Sequence, residues 1–301
     1  MDWVWLALIS AFLFALVVVL DKRLLVVYIP NVKTFYFLAG FQQICMAVIV
    51  LLIIPWDSNP TYFSFAIAVS SGVAWALGLI LMFYAISRLD VSRVIPISHT
   101  YPVFVTIMAV WLLEETLLPI QVVAIIITVV GAGIVAKDPK KIVDGKGPFG
   151  IYLLVLLGSV LTALANVTYK YALETIEFWN LLTIRSFCLG LVLVTAGYNP
   201  RIIPQVKFLF SNRNGTLLFI LTEVIMAPLA ILAMVLALAL GPVSLVSTIL
   251  SIRPLFVLII TGLVSTGWWR YLDEPFTRET LPLKLISTGM IVSGITILTL
   301  S

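Results

Sequence analysis

Apolar residues fall in long continuous blocks, with no alternation of polarity inside them, and short polar breaks separate the blocks. The blocks predict ten helices, at roughly 3–27, 34–54, 64–87, 93–113, 118–136, 149–173, 179–197, 216–240, 244–265 and 281–300. Turn chemistry marks the breaks: Pro30-Asn31, Asn59-Pro60, Pro139, Gly145 to Pro148, Asn199-Pro200, Asn214-Gly215 and Gly241-Pro242. Most connections are very short, and the longest predicted loops are 137–148, 198–215 and 266–280. A membrane β-barrel would show short alternating segments. Continuous blocks of about 20 residues match the length that a helix needs to cross a bilayer core of roughly 30 Å.

Composition narrows this further. Only 11% of the 301 residues are charged, 62% are hydrophobic and the mean hydropathy is +1.17. Soluble domains carry about 25% charged residues, so a water-facing surface over most of the molecule is excluded. The first apolar block begins at Trp3 with no basic stretch ahead of it, and reads as a membrane helix rather than a cleaved leader. Cys45 and Cys188 both sit inside apolar blocks, which argues against a disulfide framework or a metal cluster.

The two halves resemble each other. ALVVVLDKRLL from Ala15 matches ALANVTYKYAL from Ala163 at an offset of 148, pairing Lys22 with Lys170. The stretch from Ala85 matches that from Ala237 at an offset of 152, pairing Pro102 with Pro254 and Tyr101 with Arg253. The stretch from Leu118 matches that from Leu281, pairing Gly131 with Gly294. Five helices per repeat is an odd number, so the second repeat enters the membrane from the opposite side. The predicted fold is all-α and integral to the membrane: ten transmembrane helices as two inverted five-helix repeats around a central cavity. The first repeat is 1–137, the basic linker 138–148 and the second repeat 149–301. Inverted repeats are the usual architecture of secondary transporters.

Charge agrees with the inversion. The loops after helices 1, 3, 5, 7 and 9, with their helix ends, hold 15 of the 18 basic residues. The opposite loops hold Asp57, Glu114, Glu115, Glu174 and Glu177. The positive-inside rule makes the basic face cytoplasmic and puts both termini outside. These charges mark topology, and no nucleic-acid partner is expected.

Each half resembles the EamA-type repeat of the drug/metabolite transporter superfamily. The marks are a fourth helix with a central Pro-x-Phe (Pro102, Phe104) or Pro-Leu-Phe (from Pro254), the acidic turn Leu113-Glu114-Glu115-Thr116, and a fifth helix ending in Gly131-Ala132-Gly133 or Ser293-Gly294. Arg185 matches a common position in the second helix of repeat two, where the first repeat has Gln42. The sequence departs from the pattern at Asp21-Lys22 and in the aromatic segment Gly267 to Glu274. Better-known members keep both termini in the cytoplasm. The resemblance implies a ten-helix basket in the cell (plasma or inner) membrane, a monomer or homodimer among membrane lipids. It would move a small amino acid-, drug- or metabolite-like solute by alternating access, with proton coupling as one option and no cofactor. The same fold also serves flippases for lipids or lipid-linked sugars, and that lipid-like substrate stays open as the alternative.

Ionisable groups at membrane depth are candidates because keeping them there costs about 2.5–3.5 kcal/mol on insertion scales. Arg253 offers an anion-binding group, a partner for an acidic gate, or one half of an ion pair with Glu223. Glu223 suits proton shuttling or cation pairing. His99 is the only histidine, and its titration range suits a proton-coupled step. Tyr101, Gln42, Asn166, Arg185 and Trp75 complete the candidate cavity. Lys22 and Lys170, near the ends of equivalent helices, are candidate gates with Asp21 and Glu174, or else snorkel to the interface. No enzyme is predicted: His-Glu-x-x-His, Gly-x-Ser-x-Gly and paired helical aspartates are absent, as is a Walker motif for ATP.

Overall fold

The computed structural model describes residues 2–29, 31–56, 59–113, 118–136, 149–241, 246, 249–266 and 280–300. The basic linker 138–148, the turn Glu114-Glu115-Thr116 and the aromatic segment Gly267 to Glu274 lie outside the described residues.

The described residues are helical and contain no strand. Helix α1 (Asp2–Arg23) runs into a π-helical turn at Leu24–Tyr28. Then follow α2 (Val32–Ile53), α3 (Tyr62–Arg88), α4 (Val91–Ser98), α5 (Tyr101–Leu113), α6 (Pro119–Ala136), α7 (Phe149–Ala172) and α8 (Phe178–Gly197). A short α9 (Ile202–Ser211) precedes α10 (Arg213–Phe219), a π-helical segment (Ile220–Met226) and α11 (Ala227–Leu240). The chain ends with α12 (Arg253–Thr266) and α13 (Thr280–Leu300). Side chains cap the starts: Asn31 accepts from the Lys33 N–H, Thr61 from Ser64, and Glu177 from Trp179 and Asn180.

Among the described residues, six helices are long and apolar enough to cross a membrane: Trp3–Tyr28, Val32–Ile53, Tyr62–Arg88, Phe149–Ala172, Phe178–Gly197 and Arg213–Leu240. Their surface inverts that of a soluble protein. Leu52 (79% exposed), Ile53 and Phe63 face outward, while Asp21, Arg185, Glu223 and His99 are buried.

The helices pair as α1 with α11, α3 with α7, α2 with α8, and α6 with α13. Small residues set the approach. A Cβ on Gly40 would meet the Gly190 carbonyl at 2.7 Å, and one on Gly190 would meet the Gly40 carbonyl at 2.6 Å. Gly78 and Gly158 make the corresponding contact between α3 and α7. Between α1 and α11, the Ser10 hydroxyl donates to the Ala230 carbonyl at 2.9 Å.

Two sequence expectations need correction. Residues 198–215 are not a plain loop. Asn199 accepts from the Arg201 N–H, α9 follows, and the Thr34 hydroxyl bonds Gln205 within it. Nor is 93–113 one helix: α4 stops at Ser98, His99 and Thr100 form a turn, and α5 starts at Tyr101. Proline explains the break. Pro102 has no N–H for the Ser98 carbonyl four residues back. The Ser159 hydroxyl of α7 takes its place, donating to the carbonyls of Ile97 (2.9 Å) and Ser98 (3.1 Å). The same interruption occurs at Ser251–Ile252, where α12 begins with Arg253 and Pro254.

Candidate functional site

The two broken helices meet at a central cavity of about 120 Å³. A buried water needs roughly 10–15 Å³ of such space, so the cavity holds several waters or one small solute. Its wall draws on α1, α2, α3, the α4–α5 break, α7, α8, the π segment with α11, and the start of α12.

One side is acidic. Asp21 of α1 is fully buried, and neither carboxylate oxygen has a well-formed hydrogen bond. The carboxyl of Glu223, 5% exposed, is a neighbour close enough to interact with it. Glu223 sits within a π-helical segment, and Asp21 lies just before another. Such wide turns disturb the regular helix ladder and recur at functional sites. Arg253 also faces this cavity, with its guanidinium 4.2 Å from the centre of the Phe14 ring. No ion pair joins Arg253 to Glu223 among the described residues. His99 is buried at the α4–α5 break. Its Nδ1 lies 3.0 Å from the Ile95 carbonyl and 3.1 Å from the Ser98 hydroxyl. Its ring meets that of Tyr101 edge-on at 6.0 Å.

Of the candidates named from sequence, Arg253, Glu223, His99, Tyr101, Asn166 and Trp75 line this cavity. Gln42 does not. Successive helix residues are about 100° apart, and it is Gln43 that faces inward, with its Oε1 unpartnered. Arg185 lies behind the cavity wall, stacked between Trp75 at 4.1 Å and Tyr169 at 4.5 Å.

Lys22 and Lys170 reach helix ends rather than Asp21 and Glu174. The Lys22 amine donates to the Ile86 and Leu89 carbonyls ending α3. The Lys170 amine donates to the Leu238 carbonyl ending α11, at 3.3 Å. A cation at a helix C-terminus meets orphan carbonyls and the negative end of the dipole. Asp21 and Gln43 were missed as cavity residues. The sequence signal for Asp21 was a single acid at the end of an otherwise apolar block. For Gln43 there was none beyond helix phase.

Comparison with known proteins bears on the fold and the family. The model of the EamA-like transporter family matches residues 1–137. A Listeria monocytogenes protein named "Putative sugar uptake protein" is 32% identical over 40% of this chain and 46% of its own length. The match therefore spans about half of that relative. A solved crystal structure superimposes with a TM-score of 0.59 at 13% identity, covering 98% of this chain and 95% of the other. At that identity the likeness is one of fold alone. The family match is confined to residues 1–137, and the six long apolar helices among the described residues make the chain a multi-pass membrane protein.

Proposed function

We propose that this multi-pass membrane protein, EamA-like over its first 137 residues, is a secondary transporter. It moves a small polar or amphipathic metabolite across the cell membrane by alternating access. The observation that carries the reading is the cavity at two broken helices, lined by the ionisable side chains of Asp21, Glu223 and Arg253. Discontinuous helices around a central site are how transporters present polar backbone and charge to a solute inside a bilayer.

In this reading ten helices cross the membrane as two inverted repeats, 1–137 and 149–301, joined by the linker 138–148. Counting α4 with α5 and α10 with α11 as single crossings, and leaving out the ten-residue α9, yields ten. Three regularities favour the inversion. The helix pairings map onto themselves when the halves are exchanged: α1·α11 becomes α7·α3, while α2·α8 and α6·α13 are unchanged. The breaks at 99–100 and 251–252 differ by the offset of 152 found in sequence. Lys22 to Ile86 and Lys170 to Leu238 are equivalent bonds at the offsets 148 and 152.

Proton coupling falls to Asp21, Glu223 and His99, the titratable groups buried together at the cavity. A flippase would use an apolar lateral opening. Ionisable side chains in the cavity wall suit a polar solute better. The name of the Listeria relative puts sugars on the panel beside amino acids.

The test is flux in proteoliposomes for sugars, amino acids and other small metabolites, with and without an imposed pH gradient. A solute that moves, driven by the gradient and stopped by Arg253→Ala and His99→Ala, is the expected result. Movement of fluorescent lipids with no solute flux would replace the reading with a flippase.

A further inference from the structure

Arg185 is the largest fully buried side chain described, at 0% exposure. Its guanidinium lies between the Trp75 ring of α3 and the Tyr169 ring of α7. Nε, Nη1 and Nη2 all lack a hydrogen-bond acceptor, and the Tyr169 hydroxyl has no partner either. Gly72 makes the box possible: a Cβ there would meet the Arg185 carbonyl at 2.7 Å, so α3 presses directly on α8 one turn before Trp75.

Aromatic faces stabilise a cation, but they satisfy none of the five N–H donors of a guanidinium. A buried charge is ordinarily paired and hydrogen-bonded. The guanidinium is all donor and the Tyr169 hydroxyl has a proton to give, so what the cluster lacks is an acceptor with negative charge. The guanidinium fork matches one such group best, a planar carboxylate held by two parallel bonds, with the Tyr169 hydroxyl as a third donor.

The box also lies next to the cavity. Trp75 stacks on Arg185 and lines the cavity as well. Asn166, nearly one turn before Tyr169, and Leu189, one turn after Arg185, line the same space.

We propose that Arg185 and Tyr169 form a carboxylate-binding subsite behind Trp75, which an organic acid or amino acid enters from the cavity when the indole turns aside. Delivery through the cavity rests on the transporter reading, while binding itself does not. The subsite makes the preferred solute a carboxylate rather than a neutral sugar. It also divides the labour: Arg185 takes the carboxylate, and the Asp21–Glu223 side is left for cationic groups or protons.

The experiment uses the purified full chain in detergent. Thermal unfolding and tryptophan emission are followed with acetate, L-lactate, L-alanine and L-phenylalanine, and with glucose and sodium chloride as neutral and inorganic controls. At least one carboxylate is expected to raise the unfolding temperature of the wild type and shift its emission. Its affinity should fall about tenfold or more in Arg185→Gln, the scale of a lost charged hydrogen bond. Arg185→Lys should keep part of that affinity, and Tyr169→Phe should show a smaller fall. Glucose should not distinguish wild type from variants. If Arg185→Gln does not fold, Tyr169→Phe, which removes one hydroxyl, carries the test.

The proposal is overturned if no carboxylate acts on the wild type at millimolar concentration, or if the response survives Arg185→Gln. It also falls if chloride alone gives the Arg185-dependent response, since the occupant is then an inorganic ion. Solute flux in a protein that ignores carboxylates removes the subsite and keeps the transporter. Arg185-dependent binding without flux of any solute does the reverse.

Discussion

In the proposed repeat, the crossing of α1 with α11 is the counterpart of the crossing of α3 with α7, yet the two carry different chemistry. At the offsets of 148 and 152, Asp21 corresponds to Tyr169 and Glu223 to Ser71. One crossing holds two buried carboxyls beside the cavity, with a π-helical segment in each helix. The other holds Ser71, whose hydroxyl donates to the Ala165 carbonyl at 2.8 Å, in regular α-helix. Its charge comes from Arg185, closed behind Trp75. In that reading the backbone frame is shared while the side chains diverge. The crossing that bears the acids is also the one whose helix ladder is disturbed, and wide turns of this kind recur at functional sites.

Removing the acids should have the largest effect. Asp21→Asn or Glu223→Gln should reduce pH-gradient-driven flux about a hundredfold or more, in line with the loss of a proton-transfer group. Ser71→Ala, in the equivalent position of the other crossing, should leave that flux unchanged. Flux measured in proteoliposomes across a pH step decides the matter. A gradient response that persists in both carboxyl variants would remove the pair from coupling and leave His99 as the candidate.

Next in size come the glycines that let α3 and α7 close. A Cβ on Gly78 would sit 3.0 Å from the Thr162 hydroxyl and 3.1 Å from the Gly158 carbonyl; one on Gly158 would sit 3.2 Å from the Gly78 carbonyl. Backbone cannot move aside as a flexible side chain does. Gly78→Ala and Gly158→Ala should therefore each destabilise by about 1–3 kcal/mol, the usual range for overpacking. Gly150→Ala, with nothing within 4 Å, should be neutral or slightly stabilising, because alanine is the better helix former. Thermal unfolding in detergent ranks the three. Equal behaviour at Gly78 and Gly150 would mean that α3 and α7 are less close than described.

The sequence revealed the frame better than the site. Block length located the six long helices, because an apolar run of that size has few structural alternatives. The pairing of Pro102 with Pro254 pointed to the broken helices, although the break itself depends on Ser159 standing across from it on α7. Rotation about a helix axis was beyond reach: Gln42 and Gln43 are adjacent and alike, and only packing against α8 decides which faces inward. If the proposed repeat equates Gly40 with Gly190, whose carbonyls each face the other glycine, the offset in this helix is 150 and the counterpart of Arg185 is Phe35 rather than Gln42. Layering was hidden for the same reason, since nothing local to Arg185 says that Trp75 stands between it and the cavity. The short α9 was missed because its Pro204 and flanking polar residues resemble a loop.

The smallest effects are the most informative about which crossing gives way. Each is bridged by one serine hydroxyl, Ser10 to Ala230 between α1 and α11, and Ser71 to Ala165 between α7 and α3, at nearly the same distance. Interhelical hydrogen bonds in membrane proteins average about 0.6 kcal/mol, so Ser10→Ala and Ser71→Ala should each lower stability by about that much. Different crossings share no partner, so the double variant should show the sum to within about 0.5 kcal/mol. Ser159→Ala should exceed both, since its hydroxyl serves two carbonyls at the α4–α5 break. Equal losses at Ser10 and Ser71 would make the two crossings mechanically alike, with function resting in their charges alone. A clearly larger loss at Ser10 would identify the crossing with the π-helical segments as the softer one. That crossing is then where the cavity opens, because a helix pair already short of regular hydrogen bonds has the least to break when it moves.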